Sequence, residues 1–338
     1  MQAIGFLRTG PDSDAGEFVE FTADDPQPGP RDLLVEVRGI SVNPVDTKMC
    51  GRVVPGTPAV LGYDAAGVVV ATGADVQHFQ VGDAVFHAGD ISRPGSNSAL
   101  QLVDERIAGR KPSSLDFADA AALPLTSITA WEMLFDCFGL REGDGAGESL
   151  LIIGGAGGVG SIMIQLARKL TGLNVIATAS RPETRTWVER MGAHHVVDHR
   201  KPLNQELATL DIAPRYVAAI TETGTHLEAI TELIKPRGHI AVIDDPPSLD
   251  ILPLKRKAIS VSWEFMFARP MYQMPDMDIQ GQLLNRVADM LDAGELVSTA
   301  NQRAGTLGVK TLAEAHEHQR SGTAIGKTVL TGLSAASS

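Results

Sequence analysis

Residues 150 to 160 read LLIIGGAGGVG, with five glycines in the last seven positions. Glycine loses the most backbone freedom on folding, so such a run needs a reason. Gly155-x-Gly157-x-x-Gly160 fits GxGxxG, follows an apolar run that reads as a strand, and opens SIMIQLARKL, which reads as a helix. In that context the first glycine makes the tight turn, the second lets a pyrophosphate touch the backbone, and the third lets helix pack on sheet. Backbone N–H groups through Ala156, Gly158 and Val159 then face the anion at the helix start. About twenty residues on, an NAD-type site carries a carboxylate for the ribose 2′-OH. Here Ser180 stands at the end of the second strand, followed by Arg181 and Arg185. A neutral residue with two guanidiniums suits a 2′-phosphate, which a carboxylate would repel. The cofactor expected is therefore NADP(H).

These residues need a scaffold. From Ser149 apolar strands alternate with helical segments: LLIIG, NVIATAS, HVVDH, YVAAITET, HIAVIDD and AISVSWEFM, about six strands in all. That rhythm predicts a doubly wound parallel sheet with strands buried on both faces. Thr221 and Ile243-Asp244 end two of these strands, where this sheet class binds ligands. The first 110 or so residues instead carry short valine-rich runs, DLLVEVRGISV, AAGVVVATG and GDAVF, cut by Gly, Pro and Asp, and read as β structure. PDSDAGEF and RPGSNS read as surface loops, and residues 116 to 135 as a helical stretch interrupted at Pro124. After residue 270 the pattern is helix, loop, helix and a last strand, GKTVL, with SAASS as a disordered tail.

A chain of 338 residues exceeds one ordinary core and suggests two domains. The net charge of -12 argues against a nucleic-acid partner, which would need a basic patch. Two cysteines, Cys50 and Cys137, can build neither a disulfide framework nor a thiolate-rich structural zinc site. A reducing cytoplasm is the simplest compartment. The start, MQAIGFLRTG, does not read as a secretory signal, and no stretch reads as a membrane span.

The stretches SVNPVDTK, LGYDAAGVVVATG, FQVGDAVF, AALPLTSITAWEMLF, GGAGGVGSIMIQLAR, SWEFMF and IGKTVL together resemble the medium-chain dehydrogenase/reductase superfamily over nearly the whole chain. Within it the chain is similar to the quinone oxidoreductase branch, near the zinc-type alcohol dehydrogenase-like group. The resemblance implies an α/β protein, with a GroES-like β-barrel catalytic domain over 1–127, a Rossmann domain over 128–268 and a return to the catalytic domain over 269–338. It also implies an active site in the cleft between domains, and a homodimer formed through the last Rossmann strand near ISVSWEF.

In the zinc-using relatives a Cys, a His and a further Cys or His hold the metal. The matching positions here are Asn43, Tyr63 (in Gly62-Tyr63-Asp64) and the neighbourhood of Thr126, so no catalytic zinc is expected. Asp64, Cys50 and His87 show no ligand spacing. Cys50 reads as a small core residue and His87 as a strand residue at a barrel edge. Without a Lewis acid, hydride donation to an already activated acceptor, a quinone or an α,β-unsaturated carbonyl, stays feasible. Asn43 and Tyr63 are then candidate donors to the acceptor oxygen, and the phenol a candidate proton relay. By resemblance Thr126 and Thr129 approach the nicotinamide side, and His199 stands where relatives place a Tyr against the adenine. Lys327 is a candidate cofactor contact, and Phe267 and Met271 candidates for the substrate wall. The competing readings are a zinc-dependent alcohol dehydrogenase and a non-catalytic NADPH-binding protein.

Overall fold

The computed structural model describes residues 1–10 and 15–333. The SAASS tail lies outside them, as do residues 11–14 of PDSDAGEF; the rest of that expected loop, from Gly16, is strand. The chain divides into two compact units, Met1–Ile128 with Phe267–Ser338, and Thr129–Met266.

In the first unit β1 (Gln2–Arg8) and β2 (Gly16–Thr22) pair antiparallel, and β3 (Asp32–Val42) follows. Next come helix α1 (Pro44–Met49), β4 (Ala59–Val60), β5 (Ala65–Thr72), β6 (Ala84–His87), β7 (Leu100–Asp104), β8 (Ala108–Arg110), α2 (Phe117–Ala121) and α3 (Pro124–Trp131). The first half of β3 alternates buried and partly exposed side chains, as the two-residue period of a strand requires, and Ile40 to Val42 are all buried. β3 pairs with β5 along one edge and with β7 along part of the other. The helix α1 is not visible in the valine pattern. Pro44 suits a first helical position, where no N–H is needed, and the Asp46 carboxylate accepts the Asn43 N–H at 2.6 Å. RPGSNS corrects its reading as a surface loop. Ser96, Asn97 and Ser98 are buried, because the N–H groups of Gly95, Ser96 and Asn97 bond to the carbonyls of Val60, Gly62 and Leu61.

The second unit runs β9 (Ser149–Ile153), α4 (Gly158–Leu170), β10 (Asn174–Thr178), α5 (Pro182–Met191), β11 (His195–Val197), α6 (Leu203–Ala208), β12 (Tyr216–Ala219), α7 (Thr223–Leu233), β13 (His239–Val242) and β14 (Ser260–Trp263). The six strands are all parallel, in the order β11-β10-β9-β12-β13-β14, so the winding reverses beside β9. Every residue of β9 is buried, and each large apolar side chain so placed contributes about 1.5–3 kcal/mol. Helix α5 stops at Gly192, whose φ of +107° only glycine adopts cheaply. β14 is one edge of this sheet and β11 the other, and Trp263 on β14 is 59% exposed.

The chain then returns to the first unit through α8 (Ala268–Met271), α9 (Asp278–Asp292), β15 (Ala300–Thr306), α10 (Val309–Arg320) and β16 (Lys327–Thr331). β15 occupies what reads as loop. It is parallel to β16, which continues the β3 edge antiparallel, Thr328 opposite Val42. No helix among the described residues is long and apolar enough to cross a membrane.

Candidate functional site

In the second unit, the turn after β9 is built on glycines with separate jobs. The left-handed residue is Gly154, with φ +90°, not Gly155 as the motif alone suggests. Its N–H is held by the Thr178 hydroxyl at 3.0 Å. Gly155 is small for another reason: a Cβ there would stand 2.8 Å from the Ala177 side chain. A Cβ on Gly160 would meet the Gly154 carbonyl at 2.5 Å, so this glycine seats α4 against the turn. At Gly157 a Cβ would find nothing nearer than 3.6 Å, so its bareness is not needed for packing. Gly155, Ala156 and Gly160 are buried while Gly157, Gly158 and Val159 are partly exposed. The N–H groups of Gly158, Val159 and Gly160 take no backbone acceptor among the described residues. A bare, partly exposed backbone with free donors at a helix start fits a pyrophosphate. Thr221, exposed after β12, has its methyl 3.0 Å from the Cβ position of Gly154. The Ile243 N–H bonds to the Ala219 carbonyl at 3.3 Å, and Asp244 accepts the Thr223 N–H at 2.9 Å to cap α7.

Past β10 the arginines do not all point outward. Arg185 donates from Nη1 to the Ala179 carbonyl at 3.4 Å and from Nη2 to the Val196 carbonyl at 3.2 Å. Arg181 precedes α5 and pairs with Glu183 at 3.1 Å. Ser180 is partly exposed, and its carbonyl accepts Nη2 of Arg200 at 2.5 Å. Sequence reading passed over Arg200; its signal was an arginine three residues past β11, the strand beside β10. His199 lies with its ring centroid 6.5 Å from that of His226.

The first unit holds a buried polar knot. Asp64 is its centre: Oδ1 accepts the Leu125 N–H at 2.8 Å, and Oδ2 accepts the Ser41 hydroxyl at 2.8 Å and the Asn43 amide at 2.8 Å. Lys327, from β16, pairs with the same Oδ2 at 3.2 Å and donates to the Val42 carbonyl at 2.8 Å and to Asn43 Oδ1 at 2.5 Å. Lys327 is thus buried against protein acceptors rather than solvated. Its ammonium has three donors, and three acceptors of its own unit face them. Burial pushes the Asp64 carboxyl up and the Lys327 amine down, toward a neutral pair. The bonding opposes this: a neutral amine would turn a lone pair at one acceptor, so the pair is charged. Asn43 is equally committed, since its amide donates to Asp64 and to the Tyr63 carbonyl at 3.3 Å. Tyr63 is buried, with its ring edge-to-face against Phe267 at 5.4 Å. Its hydroxyl has no hydrogen-bond partner among the described residues. Burial, with Asp46 and Asp90 nearby, pushes its pKa well up, so the phenol stays protonated.

Two family models match the chain: the alcohol dehydrogenase GroES-like domain over residues 29–109 and the zinc-binding dehydrogenase over 191–330. A zinc-type alcohol dehydrogenase-like protein of Staphylococcus epidermidis is 41% identical over 98% of this chain and 99% of its own. The chain belongs to the medium-chain dehydrogenase/reductase superfamily. It is an oxidoreductase of that superfamily, with a GroES-like domain and a parallel Rossmann sheet. A solved structure described as a putative zinc-dependent alcohol dehydrogenase from Rhizobium etli superposes with a TM-score of 0.94 at 49% identity, covering 99% of each chain. The NADPH-dependent alkenal/one oxidoreductase of Arabidopsis thaliana is 33% identical over 62% of this chain and 58% of its own.

The zinc of zinc-using superfamily members does not fit the donor set here. Asn43 has both amide hydrogens engaged, and Asp64 already accepts four donors. Thr126 turns its hydroxyl back onto the carbonyls of Ala122 at 3.4 Å and Leu123 at 3.2 Å. Among the described residues no three His, Cys, Asp or Glu side chains converge where a metal ion could sit. Cys50 is a core thiol whose pKa burial raises to about 11. His87 corrects its reading as an edge residue: it is fully buried, and burial lowers its pKa to about 4. Thr129 is buried in α3, Phe267 is buried, and Met271 is exposed at the end of α8.

Proposed function

We propose that this superfamily member is an NADPH-dependent reductase of quinones or α,β-unsaturated carbonyls that works without a catalytic metal. The observation that carries the reading is the donor set at the metal positions, where only the Tyr63 phenol is uncommitted and Asn43, Asp64 and Thr126 are spent on protein partners. The bare turn at Gly157 and the neutral Ser180 support the cofactor, and the alkenal/one activity named for the Arabidopsis relative supports the acceptor class.

The nicotinamide, when bound, supplies hydride to an electrophilic carbon. Negative charge then gathers on the acceptor oxygen, and a donor placed there lowers the barrier. Tyr63, protonated at neutral pH and free to donate, fills that role better than Asn43. Asn43 instead ties Asp64 and Lys327 to the Tyr63 backbone. The balancing proton comes through Tyr63 or from water.

The test is NADPH oxidation by chelator-treated protein with a panel of quinones and enones, with NADH in parallel and metal content measured. Turnover with NADPH preferred is expected, with kcat falling about 100-fold in Tyr63→Phe. Activity that returns only with zinc would overturn the metal-free reading, and NADPH binding without turnover would overturn the enzymatic one.

A further inference from the structure

The 2′ end of the cradle is organised around a residue that spacing does not single out. Arg185, the expected clamp, bonds across β10 and β11 through Ala179 and Val196 and is scaffold. Arg200 is arranged differently. Asp198 accepts Nε at 3.1 Å, Nη2 at 2.9 Å and the Arg200 N–H at 3.0 Å. The same Nη2 reaches the Ser180 carbonyl. One edge of the guanidinium is therefore fixed at the residue where an NAD-type site carries its carboxylate. The other edge, Nη1, has no partner among the described residues, on a side chain that is 62% exposed.

We propose that Arg200 reads the 2′-phosphate of NADPH and that Asp198 is its positioning residue. The inference rests on the NADPH reading above and names the group that would enforce it. A planar guanidinium held on one edge loses little freedom when its other edge binds an anion. The Asp198 carboxylate does not act as a lone repelling charge, because Arg200 neutralises it and holds its pKa down to about 2. Of the other charges nearby, Lys201 pairs with Glu206 at 3.1 Å and Arg181 with Glu183, while the Arg185 guanidinium is spent on the Ala179 and Val196 carbonyls. NADH, which ends in a neutral hydroxyl at this position, offers Nη1 only an uncharged acceptor and gains much less from it.

The test is calorimetric titration of the full chain with NADPH and, separately, NADH. Arg200→Gln should weaken NADPH about 10- to 100-fold and leave NADH nearly unchanged, as expected for one charge-assisted contact. Asp198→Asn should weaken NADPH selectively and by less. Arg185→Gln should shift both cofactors together, through a loosened β10–β11 edge. Equal loss of both cofactors in Arg200→Gln, or a wild-type preference for NADPH that survives it, would overturn the assignment of Arg200 alone. A wild type without preference would overturn the NADPH reading and this inference with it.

Discussion

Acid should cost the first unit about 2 kcal/mol at pH 5 through His316 alone, a magnitude set by its burial. The ring lies on α10, edge-on to Phe18 at 4.7 Å, and neither nitrogen has a partner among the described residues. Burial, and then the charge of Arg320, lower its pKa to about 3. In the unfolded chain the value is about 6.5. A base depressed in the fold is protonated first in the unfolded chain. Stability is therefore complete above about pH 6.5 and falls as pH drops through the window toward about 3, by about 1.36 kcal/mol per pH unit. Asp46 works in the opposite sense, because burial pushes its carboxyl up to about 7 and stability is gained as pH falls below that. The readout must therefore be the difference between wild type and His316→Leu. All three tryptophans, Trp131, Trp187 and Trp263, belong to the other unit, so their fluorescence would report the wrong transition. Hydrogen exchange of the β3 and β16 amides reads the right one. Between about pH 7.5 and pH 5 the variant should gain about 2 kcal/mol on the wild type. A difference that stays constant would mean that the imidazole is not held neutral in the fold.

Two glycines of the cradle should separate binding from folding. Gly157→Ala should fold normally and lose NADPH in calorimetry, because its Cβ enters open space, 3.6 Å from the nearest atom. Gly160→Ala should lose about 1–3 kcal/mol in thermal unfolding, because its Cβ would stand 2.5 Å from the Gly154 carbonyl. Lys327→Met should cost about 3–5 kcal/mol by stranding Asp64 inside the unit, and adding Asp64→Asn should recover part of it in a double-mutant cycle read by hydrogen exchange.

What the sequence made legible is what periodicity records. β9, β10, β12 and β13 carry largely apolar, buried runs because both faces of a parallel sheet are covered there, and their alternation with helices made the parallel sheet readable though not the strand order. β15 left no such mark: ANQRAGT is largely exposed and held by its pairing to β16, so it reads as loop. RPGSNS looks solvated, yet its backbone is zipped to Val60, Leu61 and Gly62, and local polarity does not register such long-range bonds. The glycine turn was readable because it depends on residue type at fixed spacing, whereas the replaced metal positions came from the resemblance to the family. The fates of Lys327, Arg185 and Arg200 were not, because each depends on which carbonyl lies within reach after folding.

The first unit is assembled from both ends of the chain, and Lys327 arrives on its last strand. During synthesis the Asp64 carboxylate emerges more than 260 residues before the ammonium that neutralises it. The second unit, Thr129–Met266, is contiguous and is complete while the first still lacks β16. The order of translation and the order of completion are thus inverted, and the late-emerging strand β16 supplies the charge that Asp64 has waited for.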